Sequence, residues 1–165
     1  MSTTGVTLEE LLADNEGSAA KWQAWFGANE TALDVPADIY NSGTVRGVLK
    51  HIFAVELRHS QRLLGKDVIA YDAVAAGSLD DLFVVHARAI QNLQEFLAAA
   101  DDSSLAETIA LETVSAGTLR ASRRKLFVHI LLHSIRHWAQ LSTLLRENGF
   151  KTAWPKDFLF SEAMV

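Results

Sequence analysis

Three histidines follow one another at four-residue steps in the last third of the sequence, within the string HILLHSIRHWAQL. If this segment is helical, His129, His133 and His137 share one face, because residues four apart lie one above the other. Two imidazoles at this spacing lie about 6 Å apart at Cβ, close enough for both to bind one metal ion at about 2.1 Å. The spacing therefore predicts a metal site whose third ligand comes from another segment.

The other histidines offer three candidates for that third ligand. His51 and His59 lie on either side of Glu56 in one predicted helix, and His86 lies in the middle of the next. A single histidine on an apolar helix face is more often a core residue than a ligand. The alternative interpretation is therefore that all six histidines are core residues and that no metal binds.

Composition and motifs exclude several other kinds of site. The chain has no cysteine, which removes disulfides, thiolate ligands and a cysteine nucleophile. The HExxH pattern of zinc proteases is missing, because Ile52 follows His51 and Ser134 follows His133. GxSxG, Walker and GxGxxG patterns are also missing, so hydrolase-triad and nucleotide functions have no support. The formal charge of −5 gives no basic excess for binding nucleic acid.

The elements that must position these residues are long helices, because apolar residues recur mostly at three- and four-residue steps. Four are predicted from the apolar stripes and end signals: residues 7–26, Ser42 or Thr44 to before Gly65, Ser78 to about Ala100, and Ser122 to Asn148. Alternation over residues 107–121, around a turn at 115–117, predicts a short β-hairpin before the last long helix. The tail, residues 155–165, is expected to add one short apolar helix.

We expect a single all-α domain over residues 1–165, because the length suits one domain and no linker-like segment interrupts it. The N-terminus lacks a basic region followed by an apolar one, and no apolar run approaches the ~20 residues that span a bilayer. A cytoplasmic protein with no membrane partner and no nucleic-acid partner is predicted.

The two histidine-bearing segments resemble the DinB-like (DinB/YfiT) superfamily of four-helix bundles. VLKHIFAVELRHSQRLLG and HILLHSIRHWAQLSTLLRENGF are similar to the family's L-x-H-x-x-x-x-E helix and its H-x-x-x-H-x-x-Q pair, which bind a divalent metal. The resemblance implies the ligands His51, His133 and His137, with Glu56 and Gln140 at the accompanying polar positions. Many members have Arg-Gly where this chain has Trp-Ala before the glutamine, so the contacts of that arginine are not carried over.

The resemblance leaves the remaining polar residues with supporting roles. His129 is expected as a hydrogen-bond donor or wall residue beside the metal, with a fourth ligand as the alternative. His59 is expected in the pocket or core, and His86 in the core. Glu56 faces inward and is costly to bury alone, so we expect it to meet a histidine N–H or water at the metal.

Some DinB-like proteins are thiol S-transferases or thiol-dependent isomerases, in which the metal holds a low-molecular-weight thiol as thiolate. The resemblance implies one divalent metal ion and such a thiol. Imidazole ligands suit Zn, Ni or Fe, and three of them leave at least one coordination position open. The leading hypothesis is a metal-dependent thiol transferase or hydrolase that activates a thiol or water for attack on a small-molecule substrate. The alternative is a non-catalytic, metal-stabilised homodimer with a binding or stress-response role.

A basic cluster precedes the last long helix, where positive charge opposes the helix dipole. It comprises Arg120, Arg123, Arg124 and Lys125. Such a run is usually a solvated face, and the functional alternative is that one of these residues meets the carboxylates of a thiol cofactor.

Overall fold

The protein is described by a computed structural model that covers residues 5–113 and 117–163. Within these ranges lie four long helices and one short helix: α1 (Leu8–Ala28), α2 (Val45–Leu63), α3 (Leu79–Ala99), α4 (Asp102–Ala106) and α5 (Arg123–Glu147). The predicted all-α fold with four long helices is confirmed. The short α4, which is capped by Asp101, was not predicted.

A hydroxyl side chain caps the N-terminus of every long helix. The four capping residues are Thr7, Thr44, Ser78 and Ser122, and each accepts a hydrogen bond from a backbone N–H in the first turn. Of the two predicted caps for α2, Thr44 is therefore the one used. These local signals explain why the predicted starts of the helices agree with the structure.

The long helices form a closed bundle in which α2 packs against α3 and α5, and α1 packs against the same two helices from the other side. Trp22 of α1 lies at the centre of one core cluster, where it stacks on Phe26 and on Trp138 of α5. Most of the buried polar side chains lie instead on α2 and α5. The interface between those two helices is therefore the part of the interior where chemistry is available.

Two small antiparallel hairpins accompany the bundle. The predicted hairpin before α5 is confirmed as β3 (Thr108–Thr113) and β4 (Gly117–Ser122), and residues 115–116 of its predicted turn lie outside the described residues. A shorter pair, β1 (Pro36–Ala37) and β2 (Gly43–Thr44), precedes α2 and was not predicted. Its loop holds Tyr40 and Asn41 in the left-handed region, at φ 54° and 56°.

The short apolar helix predicted in the tail is reduced to a single turn in the described part of that segment. Residues Phe158–Phe160 form one 3₁₀ turn with no buried residue, and Leu159 is 87% exposed. Without an apolar face packed on the bundle, such a short segment has nothing to stabilise a longer helix. Among the described helices, none is long and apolar enough to cross a bilayer.

Candidate metal centre

The structure brings His51, His133 and His137 together where α2 faces α5. The Nε2 atom of His133 lies 3.1 Å from Nε2 of His51 and 3.2 Å from Nε2 of His137. All three side chains are buried, with 5–8% of their surface exposed. Each offers a potential ligand atom within 4.8 Å of the others, so this cluster could hold a metal ion.

Burial and mutual repulsion keep these imidazoles neutral. Burial, followed by the charge of His137, lowers the pKa of His51 to about 4. Burial and the charges of the two neighbouring histidines lower the pKa of His133 to about 2. Burial also lowers the pKa of His137. A metal ligand must be a neutral imidazole, so the cluster has the protonation state that coordination requires.

A hydrogen bond from outside the cluster fixes the orientation of His137. Its Nδ1 lies 2.7 Å from the amide oxygen Oε1 of Gln140, one turn later on α5. An amide oxygen only accepts, so Nδ1 carries the proton and donates it. The lone pair of His137 is thereby left on Nε2, the atom that faces the other two histidines.

Unlike His137, His133 has no hydrogen bond from a described residue outside the cluster that would fix the orientation of its ring. Its Nδ1 is buried and has no hydrogen-bond partner among the described residues. A proton on Nε2 of His133 can be donated to His51 or to His137, and it accounts for one of the two short contacts at a time. A cation at the centre of the cluster would require that proton on Nδ1 instead.

A separate buried hydrogen-bond network joins α2, α3 and α5. The carboxylate of Glu56 accepts from Nδ1 of His86 at 2.6 Å and from Oγ of Ser134 at 2.6 Å, and it is 1% exposed. Burial lowers the pKa of His86, but the charge and hydrogen bond of Glu56 outweigh burial and raise it. Glu56 therefore meets a histidine N–H, but that of His86 rather than of a clustered histidine. Sequence reasoning missed Ser134.

Tyr40, which no sequence signal singled out, covers part of His51. The two ring centroids lie 4.5 Å apart with a 30° tilt, although Tyr40 is 63% exposed. The contact depends on the left-handed backbone of Tyr40 and Asn41. The only sequence signal nearby is the Asn-Ser-Gly turn, which predicts a loop but not where the preceding ring lies.

The histidine cluster opens on a cavity of about 990 Å³ between α2, α5 and the two hairpins. Two further histidines line it: His129 lies between His133 and His59, with ring centroids 5.8 Å from each. His129 and His59 are thus wall residues outside the three-histidine cluster, while His86 is buried beside Phe53 and Phe83. Arg58 and Arg62, which sequence reasoning also missed, line the same cavity.

The predicted basic cluster does not act as one surface. Arg120 and Lys125 line the cavity, whereas Arg123 pairs with Glu107 at 3.1 Å and Arg124 lines a separate pocket near the start of α1. Only the first two are placed where they could contact a molecule bound beside the histidines.

The fold and site together define a helical-bundle protein with a buried three-histidine cluster at the floor of an open cavity. The comparison with protein families identifies it more closely: the chain matches the model of the DinB family over residues 1–163 and belongs to that family. A comparison with curated proteins finds no significant match.

Proposed function

We propose that the protein binds one divalent metal ion through Nε2 of His51, His133 and His137, and that it activates a low-molecular-weight thiol or water for attack on a small electrophile. The observation that carries this proposal is the convergence of three buried, neutral imidazoles at the floor of a cavity of about 990 Å³. A closed structural site has four protein ligands, whereas catalytic sites commonly have three and an open position.

The three histidines suit a divalent metal ion, and the observations that support this do not depend on the family match. The three potential ligand atoms lie within 4.8 Å of one another, and no cysteine or carboxylate belongs to this cluster. Neutral ligands leave the charge of a bound dication uncompensated. The ion would therefore supply a Lewis acid that lowers the pKa of a thiol or water beside it.

Residues around the cluster hold the histidine rings in position. Gln140 holds the His137 ring in the tautomer that directs Nε2 to the cluster. Tyr40 stacks on His51 and limits the directions in which that ring can turn. The cavity beside the cluster is wide enough for a small molecule, since ligand sites commonly measure about 300–1,000 Å³.

Cobalt substitution tests both parts of the proposal. Co²⁺ bound by the wild-type chain should show visible absorption bands, and 2-mercaptoethanol should add a sulfur-to-cobalt charge-transfer band if a position is open to the cavity. His51→Ala should abolish both signals. His129→Ala is the matched control, because His129 lies beside the cluster but outside it.

Two results would count against the proposal. A cobalt spectrum that neither thiol nor azide changes would indicate a closed, structural metal site. Cobalt binding that survives His51→Ala unchanged would show that the ligand set is wrong.

A further inference from the structure

The lining of the cavity is positively charged although the protein is not. Its cations are Arg58, Arg62, Arg120, Lys125 and Arg136. The two carboxylates in the lining are Asp38 and Glu112, so cations outnumber them, whereas the whole chain has a formal charge of −5. Cations gathered in a concave, partly desolvated site raise the local concentration of anions. The charge distribution therefore favours an anionic occupant.

These cations are not neutralised by the protein itself. Over residues 5–113 and 117–163, the ion pairs within 4.0 Å are Arg46–Asp34, Lys66–Glu95, His86–Glu56 and Arg123–Glu107, and none includes a cation of the cavity. Glu112 accepts a hydrogen bond from the Thr118 hydroxyl instead. Arg46 and Arg123, which lie outside the cavity, do have carboxylate partners, whereas none of the five cavity cations has one within 4.0 Å among the described residues.

Arg58 and Arg62 form the most crowded part of this lining, because they lie one turn apart on α2. Nε of Arg58 donates to the Ile69 carbonyl at 3.0 Å, which anchors that guanidinium. Nη1 of Arg62 lies 3.4 Å from Nδ1 of His59, and since arginine only donates, Nδ1 accepts. Burial and then the charge of Arg58 lower the pKa of Arg62. An anion between the two guanidiniums would relieve this repulsion.

The arginine pair and the histidine cluster lie along one face of α2. His51, Arg58 and Arg62 are spaced seven and eleven residues apart, which corresponds to about 10 and 16 Å along the helix axis. The rings of His129 and His59 lie between the two ends, at successive centroid distances of 5.8 Å. A molecule that contacts both ends is therefore elongated.

We infer that Arg58 and Arg62 bind the anionic group, a carboxylate or phosphate, of an elongated small molecule whose other end lies at the three-histidine cluster. The inference rests on the proposed function for the position of the reacting end, and it adds the chemical class of the substrate. Anion binding by the arginines does not itself require a metal, so the two ideas can fail separately.

Three six-carbon probes test the inference: hexanoate, hexyl phosphate and uncharged hexanol. Each is titrated into the full-length chain, metal-free and zinc-loaded, and followed by NMR shifts of α2 amides. We expect the metal-free chain to bind at least one of the two anions about tenfold or more tightly than hexanol, because hydrogen bonds to charged groups are strong. Preference for hexyl phosphate or hexanoate then identifies the anionic group as phosphate or carboxylate.

Variants of the arginines identify the site. Arg62→Gln should weaken binding of the preferred anion by about tenfold or more, and Arg62→Lys by less because it keeps the charge. Arg58→Gln is a second variant with the same expected loss. Arg124→Gln is the matched control, since it removes the same charge from an exposed position outside the cavity.

Equal affinity for all three probes, or equal affinities of Arg62→Gln and Arg124→Gln for the anions, would overturn the inference. Metal content separates the two proposals. A chain that holds metal but shows no arginine-dependent anion binding contradicts only the anion site. Anion binding that depends on Arg62 in a chain that takes up no metal when zinc is supplied contradicts only the proposed function.

Discussion

Replacing Glu56 tests whether the buried hydrogen bonds between α2, α3 and α5 stabilise the bundle. Both carboxylate oxygens are occupied, one by His86 and one by Ser134, each at 2.6 Å, and the side chain is 1% exposed. Without this carboxylate the Nδ1–H of His86 and the hydroxyl of Ser134 are buried without an acceptor, which together costs about 2–6 kcal/mol at about 1–3 kcal/mol per unsatisfied group. We expect Glu56→Ala to lower the free energy of unfolding by this amount, a large part of the roughly 5–15 kcal/mol typical of a domain.

Glu56→Gln separates the charge from the hydrogen bonds. The amide can still accept from Ser134 and can donate to His86, so we expect a smaller loss of about 1–3 kcal/mol. The loss should depend on pH, because Glu56 raises the pKa of His86 in the folded chain above its ordinary 6.5. This stabilisation is complete below pH 6.5 and disappears as the pH rises through the folded-state pKa. The difference between wild type and variant should therefore be largest below pH 6.5.

Urea denaturation of the metal-free chains, followed by circular dichroism at several pH values, measures these differences. Glu95→Gln is a suitable control, since it breaks the exposed pair with Lys66 and should cost less than about 1 kcal/mol. A loss of less than about 1 kcal/mol for Glu56→Ala would refute the stabilising role of the two buried hydrogen bonds. A pH-independent difference for Glu56→Gln would refute the protonation of His86.

Three further predictions concern the cluster and the loop that covers it. Gln140→Ala should weaken metal binding about 10–100-fold by releasing the His137 ring, as competition with a chromogenic chelator measures; unchanged affinity would contradict this. Because burial lowers the pKa of all three clustered histidines, acid should release the metal only below pH 6.5. Release of the metal above pH 6.5 would contradict the prediction that the three imidazoles are neutral there. Gly47→Ala should lower the melting temperature, because the added Cβ would overlap the Ser42 carbonyl. Gly17→Ala is the control: Gly17 is an exposed residue of α1 whose added Cβ would meet no other atom of the described residues, and the substitution should stabilise the protein by about 0.5–1 kcal/mol.

The helices and part of the cluster could be predicted because their signals are local. Apolar periodicity and hydroxyl caps lie within each segment, and the four-residue step from His133 to His137 needs only helical geometry. The choice of His51 over His59 and His86 came from the family resemblance. Spacing along the chain cannot show which residue of α2 faces α5.

The features that could not be predicted depend on contacts between distant segments. Tyr40 reaches His51 only because two consecutive residues adopt left-handed backbone angles. Ser134 and Glu56 are 78 residues apart, so their hydrogen bond exists only in the folded bundle. Arg58 is an ordinary charged residue in the sequence. Only the folded structure shows that it lines the cavity without a carboxylate partner among the described residues.

Metal analysis of the purified chain and its histidine variants tests the central claim most directly. The wild type and His129→Ala should each retain one divalent ion per chain after exhaustive dialysis, and His51→Ala and His133→Ala should lose it while circular dichroism shows intact helices. Full retention of the ion by both His51→Ala and His133→Ala would contradict the three-histidine metal centre.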